Sequence, residues 1–154
     1  MSGAFDPSRT RIKICGITNR DDAMCAVDAG ADAIGFIFVE GTPRWIHPER
    51  ALGILEALPP FVTTVGVFRD PTLDWFIDVI EACPTRAVQV HGEKLTPELV
   101  QAMSPGLIRA MKFNGTSIAD DLGKWSPTDG VEKMLIDGSE GGGGTSIEWQ
   151  SLAD

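Results

Sequence analysis

The sequence predicts an α/β protein, a (β/α)8 TIM barrel with only about six of its βα units present in these 154 residues. Three observations carry that expectation. Six strand-like segments are each followed by a helical pattern, which is the syntax of a parallel sheet. Within the strands, Lys13/Cys15, Gln89/His91, Arg109 and Lys133/Asp137 alternate with Ile12/Ile14, Val88/Val90, Ile108/Ala110 and Met134/Ile136. Central strands of an open, doubly wound sheet are covered on both faces and should be apolar throughout, so a polar face points to a lumen. Third, reactive side chains fall at C-terminal strand ends, where barrel sites are built. A full barrel has eight strands and typically ~250 residues. The expectation is therefore a chain short of closure by about two βα units, with residues 1–10 a disordered leader and 11–154 one partial barrel domain.

Each element has its own local reason. Arg11–Cys15 alternates with period 2, the mark of a strand with two unlike faces. Gly16 stops it, and Asn19 followed by Arg20-Asp21-Asp22 caps a helix carrying Ala23, Ala26 and Val27. Ala33–Phe38 is a buried strand in which Gly35 marks a close approach. The loop Val39–His47 carries Arg44 and Trp45, and Pro48 opens a helix to Ala57 at the position where proline is tolerated. Thr63–Phe68 is the third strand. Asp70 is expected to cap a helix starting at Pro71, with Leu73, Phe76, Ile77 and Ile80 on one face. Ala87–His91 is the fourth strand, Thr96 caps a helix to Met103, and Leu107–Lys112 is the fifth strand. A weaker helix is expected over Ser117–Lys124, a sixth strand over Lys133–Asp137, and a last helix near Glu148–Leu152.

Composition narrows the function classes. Hydrophobic content of 43% and charged content of 23% are those of a soluble globular protein. A net charge of −9 argues against nucleic acid or an anionic membrane as partner, while local cations can still hold a small anion. Cys15, Cys25 and Cys83 have no metal-type spacing and fit reduced thiols in the cytoplasm, with Cys25 and Cys83 as helix packing residues. The start of the chain lacks a signal peptide's apolar run, and no stretch approaches 18 apolar residues.

The strand-end rule selects Cys15, Arg44, His91 and Asp137, with Gln89 one layer below His91. Cys15 and Asp137 have the residue types of a general base and a general acid, and Lys13 lies on the same strand face as Cys15. Each has a structural alternative: a small buried apolar residue for Cys15, a helix cap for Asp137, a solvated loop cation for Arg44, and hydrogen-bonded packing groups for His91 and Gln89. Gly141–Gly144 fits either an anion-binding nest or a mobile loop, and no dinucleotide or Walker fingerprint accompanies it.

KICGIT at Lys13–Thr18, GADAIGFIF at Gly30–Phe38, PRWI at Pro43–Ile46, VGVF at Val65–Phe68, VQVHGE at Val88–Glu93 and LIDG at Leu135–Gly138 together resemble phosphoribosylanthranilate isomerase, in register from residue 11 onward. The resemblance implies a TIM barrel and a cofactor-independent, metal-free Amadori rearrangement in tryptophan biosynthesis, converting N-(5-phosphoribosyl)anthranilate to 1-(2-carboxyphenylamino)-1-deoxyribulose 5-phosphate. It implies Asp137 as the acid at the ribose ring oxygen and Cys15 as the base at C2′. It also implies Arg44 at the anthranilate carboxylate, with Gln89 and His91 as further substrate-binding residues. The implied partner is a phosphorylated small molecule, and the implied assembly is a monomer or homodimer in the cytoplasm. Barrel phosphate sites typically use the loops after strands seven and eight. The phosphate site is therefore expected outside residues 1–154, and a non-catalytic barrel fragment or binding module is the alternative.

Overall fold

In the computed structural model, residues 9–104, 106–112 and 131–138 are described. The strands are β1 (Lys13–Cys15), β2 (Ala33–Ile37), β3 (Thr63–Arg69), β4 (Ala87–His91), β5 (Leu107–Lys112) and β6 (Val131–Asp137). Between them lie α1 (Arg20–Asp28), α2 (Pro48–Leu55), α3 (Leu73–Ala82) and α4 (Pro97–Met103). The expected leader through residue 8, the helix over Ser117–Lys124, the glycine run and the last helix lie outside the described residues.

The six strands form one parallel sheet in the order β1-β2-β3-β4-β5-β6. A doubly wound sheet reverses its strand order at a switch point; this one advances without reversal, as a barrel wall does. The two faces are unlike in the same sense. On one, Ile34, Phe36, Phe68, Val88, Val90 and Leu107 pack with helix residues such as Ala23, Ala51, Phe76, Val79 and Leu99. The other holds a small cluster of Ile37, Val65 and Val67 with Cys15, Ala33, Ala87 and Ile108, and no helix residue joins it among the described residues. The four described helices cover one face, and the other is the inner wall of a (β/α)8-type barrel.

Local chemistry fixes the boundaries. The Asn19 side chain accepts the Asp22 N–H at 2.8 Å, capping α1 as expected. Thr96 caps α4 by accepting the Leu99 N–H. At α3 the expectation fails: Thr72, whose hydroxyl oxygen accepts the Trp75 N–H, is the cap. Asp70 instead adopts φ +42°, the one positive φ of a non-glycine residue among those described. The sheet register also corrects Arg109. It pairs with Val90 and Met134, on the helix side, whereas Ile108 pairs with Gln89 and Lys133 on the inner side. Arg109 is 7% exposed among outward-facing groups, so it does not belong to the lumen set. Ile12 and Ile14, on the outer side of β1, remain 45% and 39% exposed.

Candidate active site

The site begins at the end of β1. Lys13 and Cys15 pair with Ala33 and Gly35, so both side chains lie on the inner face. A Cβ at Gly35 would stand 2.9 Å from Cys15 Sγ and 3.2 Å from Lys13 Nζ. The close approach expected at Gly35 is thus to a thiol and an ammonium, which lie within about 6 Å of each other through that shared point. Beyond Cys15 the chain turns at Gly16 (φ +85°), and Gly16 N and Ile17 N both donate to Gly35 O. That pair of bonds anchors the thiol to β2.

Arg44 reaches this same point from the β2–α2 loop. Ile46 N donates to Ile37 O, Trp45 N to Thr42 O, and the Thr42 hydroxyl to Val39 O, folding the loop back on the end of β2. The aliphatic stem of Arg44 then lies on Gly16, where any side chain would overlap it. Arg44 is thereby held by its stem against the turn that follows Cys15, and it is exposed. Sequence spacing gave no signal of this contact, since it joins loops after two different strands.

At the end of β4, Gln89 Nε2 lies 2.7 Å from His91 Nε2. With the amide N–H donating, the ring nitrogen accepts and the neutral imidazole carries its proton on Nδ1. Gln89 is 4% exposed, and its Oε1 has no hydrogen-bond partner among the described residues. Buried acceptors are normally satisfied, which leaves this oxygen available to a donor from outside the described residues. Burial lowers the His91 pKa; Asp137 opposes that shift, while Arg69, Arg109 and Lys13 reinforce it. Asp137, on β6, thus shares an electrostatic neighbourhood with His91. Asp137 pairs with Lys112 on the inner face. The rim thus sets Lys13, Arg69 and Asp137 near His91, with Lys112 beside Asp137, in a protein of net charge −9, a locally cationic surface suited to an anionic ligand.

The His91 shift has a pH consequence. Its folded-state value lies below the ordinary 6.5, so the unfolded chain binds more protons between the two values. Stability is therefore lost as pH falls through about 6.5 and levels off below the folded value. His91→Asn should lose less stability than wild type between about pH 7.5 and about pH 5, read from urea midpoints. Equal acid sensitivity of the two proteins would remove His91 from this role.

The other thiols differ from Cys15. Cys83 is fully buried at the end of α3, and burial pushes its pKa up to about 11. Cys25 is exposed on α1, so the expectation that it packs in the core is wrong. Among the described residues no cluster of three or more His, Cys, Asp or Glu could hold a metal ion, and no helix is long and apolar enough to cross a membrane.

Comparison with known proteins adds an independent line. The family model for N-(5'-phosphoribosyl)anthranilate isomerase matches residues 12–154. The isomerase of that name from Pelobacter propionicus is 37% identical over 147 residues, covering 93% of this chain and 68% of its own. A solved phosphoribosyl anthranilate isomerase bound to reduced 1-(o-carboxyphenylamino)-1-deoxyribulose 5-phosphate superposes with a TM-score of 0.77 at 34% identity, over 94% of this chain and 69% of that one. A structure of monomers generated from the dimeric isomerase of Thermotoga maritima gives 0.71 at 34% identity, over 84% and 64%.

Proposed function

The chain belongs to the N-(5'-phosphoribosyl)anthranilate isomerase family, and from that premise we propose that it carries out the Amadori rearrangement of N-(5-phosphoribosyl)anthranilate in tryptophan biosynthesis. The observation that carries this reading is the common inner face at the C-terminal strand ends, shared by Cys15 on β1 and Asp137 on β6. Asp137 protonates the ring oxygen as the C1′–O bond breaks, and the anthranilate nitrogen lone pair forms the C1′=N bond. Cys15, as thiolate, takes the C2′ proton, and those electrons form the enolamine, which tautomerises to the ketone. A thiolate is a competent general base, and Lys13 stands beside Cys15. Gln89 Oε1 and the His91 ring are supplied for substrate hydroxyls. The steps as written balance as an isomerisation, with proton transfers and electron-pair shifts within the substrate, so none of them uses a cofactor.

Arg44 is the group for the anthranilate carboxylate, where a planar guanidinium offers two parallel donors. Arg44→Ala should weaken binding of a carboxylated product analogue by about 10- to 150-fold, since a charge-assisted hydrogen bond contributes roughly 1.5–3 kcal/mol. Binding of the analogue without its carboxylate should change little; an equal loss for both would assign Arg44 elsewhere. The cytoplasm is the compartment that fits reduced thiols and an amino-acid biosynthetic step. For the assembly, a homodimer is supported by Phe61, a large apolar side chain left 97% exposed, and by the dimeric Thermotoga enzyme.

Fluorescence-monitored turnover of N-(5-phosphoribosyl)anthranilate by the purified protein tests the reading. Binding of the reduced product analogue without turnover would instead favour the binding-module alternative.

A further inference from the structure

The turn that follows β4 is held from two sides by residues of other strands. Arg109 on β5 donates from Nη1 to Val90 O at 3.4 Å and from Nη2 to Gly92 O, bridging the end of the strand and the turn beyond it. From the β3 side, Asp70 Oδ1 accepts the Lys94 N–H at 2.7 Å, and Asp70 N donates to His91 O at 3.0 Å. The Asp70 carboxylate also fills the place beside Gly92 (φ +96°) that a Cβ would need. The carbonyls of residues 90, 91 and 92 and the amide of 94 are thus each bonded either to Arg109 within β5 or to Asp70 just after β3.

We propose that Arg109 and Asp70 are positioning residues, a clamp on the 91–94 turn that sets the orientation of His91 and, through it, of the Gln89–His91 pair. The proposal rests on the isomerase reading of the lumen. Arg109 lies on the helix side of the sheet, so its contacts reach the substrate side through the backbone it grips, while its charge acts on His91 through space. Its buried charge is supported by Asp70 and Glu93, which oppose the effect of burial on its pKa. Asp70 gives up an ordinary backbone conformation to reach this position, and such outliers persist where surrounding contacts over-determine them. Displacing a substrate-contacting group by about 1 Å can lower turnover by roughly 10²-fold, so a fixed turn matters to catalysis.

The chain has two histidines, His47 and His91, so the His91 ring resonances are assigned by their loss in His91→Asn. The charges acting on His91 are Asp137 from β6, Arg69 from β3 and Lys13 from β1 on its own side of the sheet, and Arg109 of β5 from the helix side. Arg109→Lys keeps the charge and loses the two-pronged grip; Asp70→Gly tolerates the backbone and removes the carboxylate; Asp70→Asn keeps the shape and an acceptor. If the clamp positions His91, its titration moves up towards the ordinary value in Arg109→Lys and Asp70→Gly and stays near wild type in Asp70→Asn. A through-space charge effect alone predicts no change for Arg109→Lys and a downward shift for Asp70→Gly, and either result overturns the proposal. Turnover should fall roughly 10-fold in Arg109→Lys, with no further loss when that change is added to His91→Asn. Additive losses overturn it as well. Absence of isomerase activity in the wild type would refute the reading of the lumen, while the titration would still decide the clamp; if Arg109→Lys fails to fold, the Asp70 pair decides it.

Discussion

Cys15→Ala lowers turnover by about 10²- to 10⁴-fold, the range lost when a general base is removed, and leaves the unfolding midpoint close to wild type. The chemical half of this expectation follows from placement: the thiol is half-buried on the inner face at the end of β1, with Lys13 and the bare Gly35 beside it. The structural half follows from what holds β1. Its pairing with β2 and the two bonds to Gly35 O are backbone contacts that alanine preserves. Steady-state kinetics together with urea unfolding of the same preparation separate the two effects. Retention of more than about a tenth of wild-type turnover would take Cys15 out of the proton transfer.

Asp137→Asn is expected to be as damaging, because an amide of nearly the same shape has no proton to give to the ring oxygen. The variant carries a second signature. Asp137 is the anion that holds the His91 pKa up against burial, so His91 in the variant titrates lower still than in wild type. Loss of turnover with that downward shift places the carboxylate in the lumen and in the reaction. Near-normal turnover assigns the acid to another group, whatever His91 does.

Much of this was legible in the chain because the physics was local. Period-2 alternation gave β4 and β5 their observed bounds, and capping chemistry gave the starts of α1 and α4. Cys15, Gln89 and Asp137 lie on the inner face that alternation assigned them. Arg109 was misread for an instructive reason. A charged residue in an alternating strand is taken to mark the polar face, but a guanidinium can be buried on the apolar side when backbone carbonyls satisfy it. Asp70 before Pro71 had the local form of a helix cap. Its real partners, Lys94 N and the space beside Gly92, lie more than a helix away in sequence, and no nearby pattern reports them. The packing of Arg44 on Gly16 was hidden in the same way.

The unreversed strand order has a consequence for how the molecule comes into being. Every strand pairs with the one just before it, across about 20 to 30 residues of chain. Loops of that length close with a modest entropy loss, so the wall can extend one strand at a time from its N-terminal end as synthesis proceeds. The proposed base stands on the first strand laid down and the proposed acid on the sixth. A partly assembled sheet therefore holds a thiol among cations but no acid to open the sugar ring, and catalytic competence arrives as a late event of folding, well after most of the apolar surface is covered.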